Sequence, residues 1–354
     1  MTRLPVTLFL AALMLLGPVA GGPAHADRSS RAVPPDDAES EDTGLTLLRE
    51  AAIAGRSRGY AGTRYVSVWG ASGSTSAVQK VRNVPGGGMT VRAEPSGQEQ
   101  SADPGTIEGG LSSPSETMLE VLARNYRVLD AGEGHACGRT ARLVDVLRAD
   151  GTLAARYWID HDAGPVLRRE LLDARGRIVH TAAFVDLTVQ PAAPGRGAAP
   201  ATSAGSTAPA MTMGGLDLAE TPRLLAGGWR FPPALPGGLE LFAAHRAPAG
   251  HVYLGYSDGL SIVSVFIQRG ALDEERLRDW HAERRNGHTI WIRDPVGQET
   301  IWASGGHVYT VFADAPADMA AAAVAALPHE PVPDLWTRLG RGASRVLSWV
   351  NPFE

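Results

Sequence analysis

The chain has 354 residues, a formal net charge of −5 and a single cysteine, Cys137. One cysteine excludes an intramolecular disulfide, so stability must come from apolar cores, and we expect Cys137 to be a buried thiol. Acidic and basic residues are interspersed along the chain, without the basic patch that nucleic-acid binding requires. The length is sufficient for two ordinary domains.

The N-terminus predicts export from the cytoplasm. Residues 1–26 contain Arg3, an apolar run and the small-residue ending Ala24-His25-Ala26, which is typical of a secretory signal peptide cleaved after Ala26. An uncleaved anchor is the alternative, although the apolar run is short for a membrane span. We expect a protein secreted across the cytoplasmic membrane, to the periplasm or the outer face of the membrane. Residues 27–43 are polar and acidic and predict a disordered lead.

Residues 44–189 form the first predicted domain, which begins with a helix and then strands. Apolar residues recur at helical spacing at Leu45, Leu48, Ala52 and Ile53. Three strand-forming stretches follow, YAGTRYVSVWG, VQKVRNV and MTVRAEP. The first part of this domain is therefore expected to place one amphipathic helix beside a small sheet.

A second helix and a meander complete the first domain. In residues 112–129, Ser113 is expected as the N-cap, Pro114 as the first helical residue and Glu116 as the capping-box partner, ahead of an apolar stripe. From 139 to 189, the turns ADG, HDAG and ARG separate runs of strand formers, which predicts an antiparallel meander. An antiparallel sheet covered by helices is an α+β fold, and such a sheet leaves a concave apolar face if it curves around its helices.

Residues 190–215 are rich in Pro, Gly, Ala and Ser and predict a flexible linker. A smaller α+β domain is expected at 216–328, with Trp229 and Phe231 packed in its irregular first segment. A helix is predicted over 271–287, with Asp273 as its cap and with Leu277 and Trp280 facing inward. Three strands, HTIWIRD, ETIWASG and HVYTVFAD, and an Ala-rich helix follow.

The pentapeptide GYSDG at 255–259 matches the G-x-S-x-G pattern of hydrolases, in which a helix follows the nucleophilic serine. Here LSIVSVFIQ follows, which alternates and predicts a strand. Asp258-Gly259 between two strands predicts a hairpin with a type I′ turn. Asp294 and His307 follow in the order of a triad, but no alternating β-α-β pattern surrounds them. We therefore interpret the following residues as a structural hairpin and expect no enzyme: Tyr256, Ser257, Asp258, Gly259 and Leu260.

Other candidate sites lack the spacing that their chemistry needs. His135 and Cys137 have no second ligand pair for a metal, and the remaining histidines contain no HExxH pattern. His161 and Asp162 lie in a predicted turn. Gly86-Gly87-Gly88 is not followed by the Lys-Ser/Thr that opens a phosphate-binding helix. We expect no catalytic residue, no metal site and no cofactor.

The tail at 329–354 predicts an amphipathic helix. Its apolar and aromatic residues include Leu335, Trp336, Leu339, Ala343, Val346, Leu347, Trp349 and Val350. Its basic residues are Arg338, Arg341 and Arg345, on the opposite face. Two occupants for the apolar face remain open: a protein surface, belonging to this chain or to a partner, and a membrane surface.

Several stretches resemble the RseB/MucB family of sigma-factor regulatory proteins. They are LLREAAIAGRSRGYAGTRYVSVWG (47–70), YSDGLSIVSVFIQRG (256–270), GGHVYTVFADAP (305–316) and the meander. The resemblance covers most of residues 44–316, whereas the acidic lead and the tail have no counterpart in it.

The resemblance implies a first domain with the curved, half-barrel antiparallel sheet of LolA-like lipoprotein carriers, and a smaller, flexibly linked second domain. It implies binding to the extracytoplasmic segment of a membrane-spanning anti-sigma factor. That binding would hinder proteolysis of the anti-sigma factor and so negatively regulate an envelope-stress sigma factor, with lipid signals causing release. The family supplies no catalytic residue and no cofactor. A lipid or lipoprotein carrier of the cell envelope is the alternative function.

Overall fold

The computed structural model describes residues 37–70, 73–85, 88–94, 99–102, 114–162, 164–190, 218–247, 250–285, 288–293 and 299–330. These residues form two antiparallel sheets with helices packed on them, which confirms the predicted α+β class. The predicted signal peptide, nearly all of the linker and the tail beyond Glu330 lie outside the described residues. None of the described helices has the length and apolar character needed to cross a membrane.

The first sheet has nine strands in the order β4-β3-β2-β1-β9-β8-β7-β6-β5, and all neighbours run antiparallel. The strands are β1 (Tyr60–Trp69), β2 (Ser74–Val84), β3 (Gly88–Glu94), β4 (Glu99–Ala102), β5 (Arg127–Ala136), β6 (Arg139–Leu147), β7 (Leu153–Asp160), β8 (Val166–Leu172) and β9 (Ile178–Val189). The meander predicted for 139–189 is therefore confirmed as β6 to β9. The strand β5 was not predicted.

One face of this sheet carries the helices α1 (Asp37–Ser57) and α2 (Glu116–Asn125). Leu48 and Ala51 of α1 are buried against the sheet, whereas Ile53, which was predicted to face inward, is 53% exposed. Helical geometry accounts for this difference, because a residue five positions after Leu48 points well away from it. α1 also begins inside the segment that was predicted to be a disordered lead.

The N-cap of α2 differs from the prediction. Ser115 is the cap, and its Oγ accepts a hydrogen bond from the backbone N–H of Met118 at 3.2 Å. The predicted cap, Ser113, lies outside the described residues. Because α2 begins at Glu116, the N–H of Met118 lies in its first turn and has no acceptor within the helix. Ser115 is placed to satisfy this donor.

The second sheet has eight strands in the order β10-β11-β12-β13-β17-β16-β15-β14. The strands are β10 (Ala234–Leu235), β11 (Leu239–Arg246), β12 (Val252–Ser257), β13 (Ile262–Arg269), β14 (His281–Arg285), β15 (His288–Ile292), β16 (Glu299–Ser304) and β17 (His307–Asp314). The helices α3 (Thr221–Ala226) and α4 (Ala317–Ala326) accompany it. Trp229 is buried in its core and Phe231 packs against that core.

The helix predicted over 271–287 was wrong. Residues Glu274–Leu277 form a short 3-10 turn, Asp273 makes no side-chain cap, and β14 follows. Leu277 is buried in this turn, which is too little apolar burial to hold a helix. The ion pair between Arg285 and Glu283 suits a strand, since residues two apart share a face there and not on a helix.

Candidate functional site: the junction between the two sheets

The hairpin that the sequence singled out lies where the second sheet meets the first. β12 and β13 pair from Val252↔Ile267 to Ser257↔Ile262, which leaves a four-residue tip, Asp258–Ser261. The two-residue type I′ turn was therefore wrong. Gly259 has φ +94°, whereas Asp258 does not adopt a positive φ.

Ser257 is buried at the base of this tip. Its Oγ donates a hydrogen bond to the carbonyl of Ser261 at 2.8 Å and accepts one from the N–H of Gly259 at 3.0 Å. A strand follows the tip, not the helix of a nucleophile elbow. The hydroxyl of Ser257 is thus used to close the turn.

Asp258 joins the tip to the first sheet's helices. Its Oδ1 accepts hydrogen bonds from the N–H groups of Leu260 at 2.9 Å and Ser261 at 2.6 Å, and its Oδ2 accepts one from the Tyr126 hydroxyl at 2.6 Å. The amide of Asn125 donates to its carbonyl at 3.1 Å. Burial raises the pKa of Asp258 above its ordinary value, against the opposing effect of these hydrogen bonds. Burial, together with the neighbouring Asp258, also raises the pKa of Tyr126.

The tip fits closely against α2. A Cβ on Gly259 would stand 2.4 Å from the backbone N and Cα of Leu122, so only glycine allows this approach. Leu260 then enters the apolar core that lies under α1 and α2. The tip therefore belongs by packing to the first sheet's core, although its chain belongs to the second sheet.

A buried ion pair ties the two sheets together beside the tip. Arg169 of β8 lies 3.4 Å from Asp314 of β17, and each of the two side chains is 3% exposed. Arg169 also donates to the carbonyl of Leu260 and, at 3.3 Å, to the hydroxyl of Tyr157. His180 of β9 approaches the other oxygen of Asp314 at 3.7 Å. A buried charge of this kind is tolerated only when its partners stay in place, so the contact fixes how the sheets meet.

Sequence reasoning missed Arg169, His180 and Asp314. The available signal was Arg169 itself, because VLRRELL places an arginine at the inward position of a meander strand. Such a charge requires a partner. Nothing local to β8 identifies that partner, since Asp314 follows 145 residues later.

Two members of the suggested triad, Ser257 and His307, are not brought together. His307 begins β17 and Asp314, beside the tip, ends it, so His307 lies about 23 Å from the tip at strand spacing. Burial lowers the pKa of His307, which is in ring contact with Trp229 at 5.2 Å. Asp294 lies outside the described residues.

The remaining candidates are dispersed. Cys137 is half-buried in the β5–β6 turn at φ +55°, and burial raises the pKa of its thiol. His161 and Asp162 are exposed, with Nδ1 of the ring 3.5 Å from the carboxylate. Across the part of the chain that the structure describes, no group of three His, Cys, Asp or Glu residues could hold a metal ion. Gly86, Gly87 and every tail residue from 331 onward lie outside that part.

Comparison with known proteins finds a family model that is similar to most of the first sheet. The model of the MucB/RseB N-terminal domain matches residues 79–204. No curated protein matches.

Solved structures align at low identity, two of them over most of the chain and one over less than half of it. The MucA/MucB complex of Pseudomonas aeruginosa is 20% identical, with a TM-score of 0.39 over 82% of this chain and 100% of that chain. A crystal structure of MucB is 20% identical, with a TM-score of 0.43 over 84% of this chain and 100% of that chain. The Mycobacterium tuberculosis lipoprotein LppX is 12% identical, with a TM-score of 0.25 over 43% of this chain and 95% of that chain. The family match shows that residues 79–204 of this chain are similar to the MucB/RseB N-terminal domain.

Proposed function

We propose that this chain is an extracytoplasmic binding protein that holds the extracytoplasmic segment of a membrane-spanning anti-sigma factor. It thereby hinders proteolysis of that factor and restrains an envelope-stress sigma factor. The observation that carries the proposal is the MucB/RseB domain match over residues 79–204. MucB itself has been solved in complex with MucA, which is the type of partner we propose here.

The junction supports a role in binding. With Arg169 and Asp314 buried together and the tip seated on α2, the two sheets form one connected body. A partner segment can then contact both sheets without first ordering them, which lowers the entropic cost of binding. The predicted signal peptide supports a location on the outer side of the cytoplasmic membrane, where such a segment is exposed.

The test uses the purified mature chain and the ectodomains of anti-sigma factors from the same cell. We expect one ectodomain to form a stable complex in size-exclusion chromatography, and its cleavage by the site-1 protease to slow when this chain is added. If no ectodomain binds, the proposed function is wrong. If an ectodomain binds and its cleavage rate is unchanged, the binding role stands and the protective role does not.

A lipid or lipoprotein carrier is less well supported by the packing. Leu48 of α1 and Leu119 and Leu122 of α2 are buried against β6, β7 and β8, so helix side chains occupy this part of the sheet face. We propose lipid sensitivity as a property of release and not of transport. Native mass spectrometry of the exported protein distinguishes the two, because a carrier retains a stoichiometric lipid and a lipid-released binding protein does not.

A further inference from the structure

Each of the two domains has apolar cores of its own, and few apolar side chains cross from one domain to the other at the junction. The core under α1 and α2 consists of first-domain residues apart from Leu260 of the tip. A cluster on the second sheet beside α2 consists of second-domain residues apart from Met118 of α2. In the apolar clusters of the described residues, these are the two side chains that cross the junction, one from each domain. We call Leu260 and Met118 the reciprocal anchors.

The tip keeps its shape without help from the first domain. The hydrogen bonds of Ser257 Oγ and Asp258 Oδ1 close it, and the partners of both atoms belong to the same hairpin. The N–H groups of Gly259, Leu260 and Ser261 are therefore satisfied within the tip. Withdrawal of the tip from α2 leaves none of these three donors unpaired, so the hairpin can leave as an intact unit.

Most of the other contacts across the junction are polar. Besides its bond to the tip, Asn125 donates to the carbonyl of Gly238 at 3.4 Å, and the exposed Arg124 pairs with Glu240 at 2.6 Å. Water can replace these partners if the domains move apart. Separation also hydrates both charges of the buried ion pair between the sheets at once. This returns the solvation energy that their burial costs, so the pair as a whole does little to oppose separation.

The sequence between the domains is compatible with their separation. Residues 190–215 are rich in Pro, Gly, Ala and Ser and predict a flexible linker. A flexible chain of this length has an end-to-end distance of roughly 30 Å. The domains would therefore stay close after separating, and the junction would form again readily because the effective concentration stays high. Domains whose interface is small in apolar area and rich in polar contacts are expected to move relative to each other.

We propose that the junction opens and closes reversibly. In the open arrangement both domains stay folded, and Leu260 and Met118 leave the clusters that bury them in a single step. The closed arrangement is the one in the structure. The inference goes beyond the proposed function, because it concerns the chain without its partner. A partner that contacts both sheets binds the closed arrangement and shifts the equilibrium toward it, so the stability of the junction contributes to the affinity for that partner.

The test measures how fast single cysteines in the full mature chain react with a thiol reagent, without denaturant. Cys137, the one native cysteine, is replaced by serine in every variant. Two variants carry Leu260→Cys or Met118→Cys, at positions that are each 3% exposed. The matched controls carry Val144→Cys in the first domain or Val265→Cys in the second, both fully buried within their own domain. We expect the two anchor variants to react at rates within about threefold of each other, and roughly a hundredfold or more faster than the controls, which react only when a domain unfolds.

Two outcomes would overturn the inference. If both anchor variants react at the rate of the controls, the junction opens only when a domain unfolds. If Leu260→Cys reacts fast and Met118→Cys reacts at the control rate, the tip moves by itself and the domains do not separate. The two anchors lie on opposite sides of the junction, so if one variant fails to fold, the other still gives a rate to compare with the controls. No ectodomain enters these measurements, so either result leaves the proposed function to its own test.

Discussion

At the scale of single residues, the sequence predicts the glycine of the tip Asp258–Ser261 correctly but gives only part of the reason for it. The sequence favoured Gly259 because it frees the backbone, and the structure adds contact with Leu122 as a second and stricter reason. Asp258 was expected to tolerate a turn and instead holds two backbone N–H groups and Tyr126. The contact with Leu122 and the hydrogen bond from Tyr126 could not be predicted, because both of these residues lie in the first domain.

The prediction at this scale compares two glycines. Gly259→Ala combines backbone strain with a clash against α2, and we expect a loss of about 2–5 kcal/mol in the free energy of unfolding. Gly250→Ala is the control, because Gly250 has a similar φ of +89° and open space around it, so we expect only about 1–2 kcal/mol. Urea denaturation of both variants measures the difference. Equal losses would mean that the tip is not held against α2.

At the scale of elements, the sequence predicts strands well where burial alternates with exposure, as in β6 to β9. It misses β5, whose LDAGEG stretch contains poor strand formers and an irregular register between Asp130 and Glu133. It predicts a helix where β14 forms, because the charged stretch at 281–285 has high helix propensity. Pairing with β15 holds this stretch as a strand. Tertiary pairing decided both elements, and local sequence does not encode it.

Two elements meet at Arg169 of β8 and Asp314 of β17. Arg169→Ala leaves Asp314 buried without this partner, and we expect a loss of roughly 3–5 kcal/mol in unfolding free energy. The control is Arg276→Ala, which removes an exposed ion pair with Asp273 and should cost less than about 1 kcal/mol. Limited proteolysis during a thermal unfolding series should cleave the chain between the sheets at a lower temperature in the Arg169 variant alone. A loss below about 1 kcal/mol would show that the sheets are held by other contacts.

At the scale of the whole molecule, residues 327–330 hold the end of the second sheet. The indole N–H of Trp302 donates to the carbonyl of Pro328 at 3.1 Å, and the N–H of Glu330 donates to Ser304 Oγ at 2.7 Å. The ring of His329 stacks on Trp302 at 5.1 Å. The tail follows this segment in the chain, and a membrane surface and a protein surface stay alternative predictions for it.

Truncation separates the contribution of residues 327–330 to stability from the contribution of the tail to binding. A chain that stops after Glu330 keeps these contacts. If the tail binds a membrane surface, we expect this chain to keep its stability and to lose binding to anionic vesicles, whereas a tail that docks on its own domain predicts a loss of stability. A chain that stops after Ala326 also loses the buried Leu327 and the Trp302 hydrogen bond, so we expect a cost of roughly 3 kcal/mol. Vesicle co-sedimentation and urea denaturation give the two readouts. If the full chain does not sediment with vesicles, the tail binds protein instead.

The central position of β1 has a consequence for the order in which the chain can fold as it is synthesised from its N-terminus. β2 follows β1 directly in the chain. The other neighbour of β1 is β9, which ends at Val189, the partner of Tyr60. Until β9 has been synthesised, one side of β1 presents unpaired N–H and C=O groups, which are a template for association with other chains. Contacts such as Arg169 with Asp314 close later still, across 145 residues. Folding of the first sheet must therefore wait for most of the first domain, and the junction between the sheets forms only after Asp314 has been synthesised.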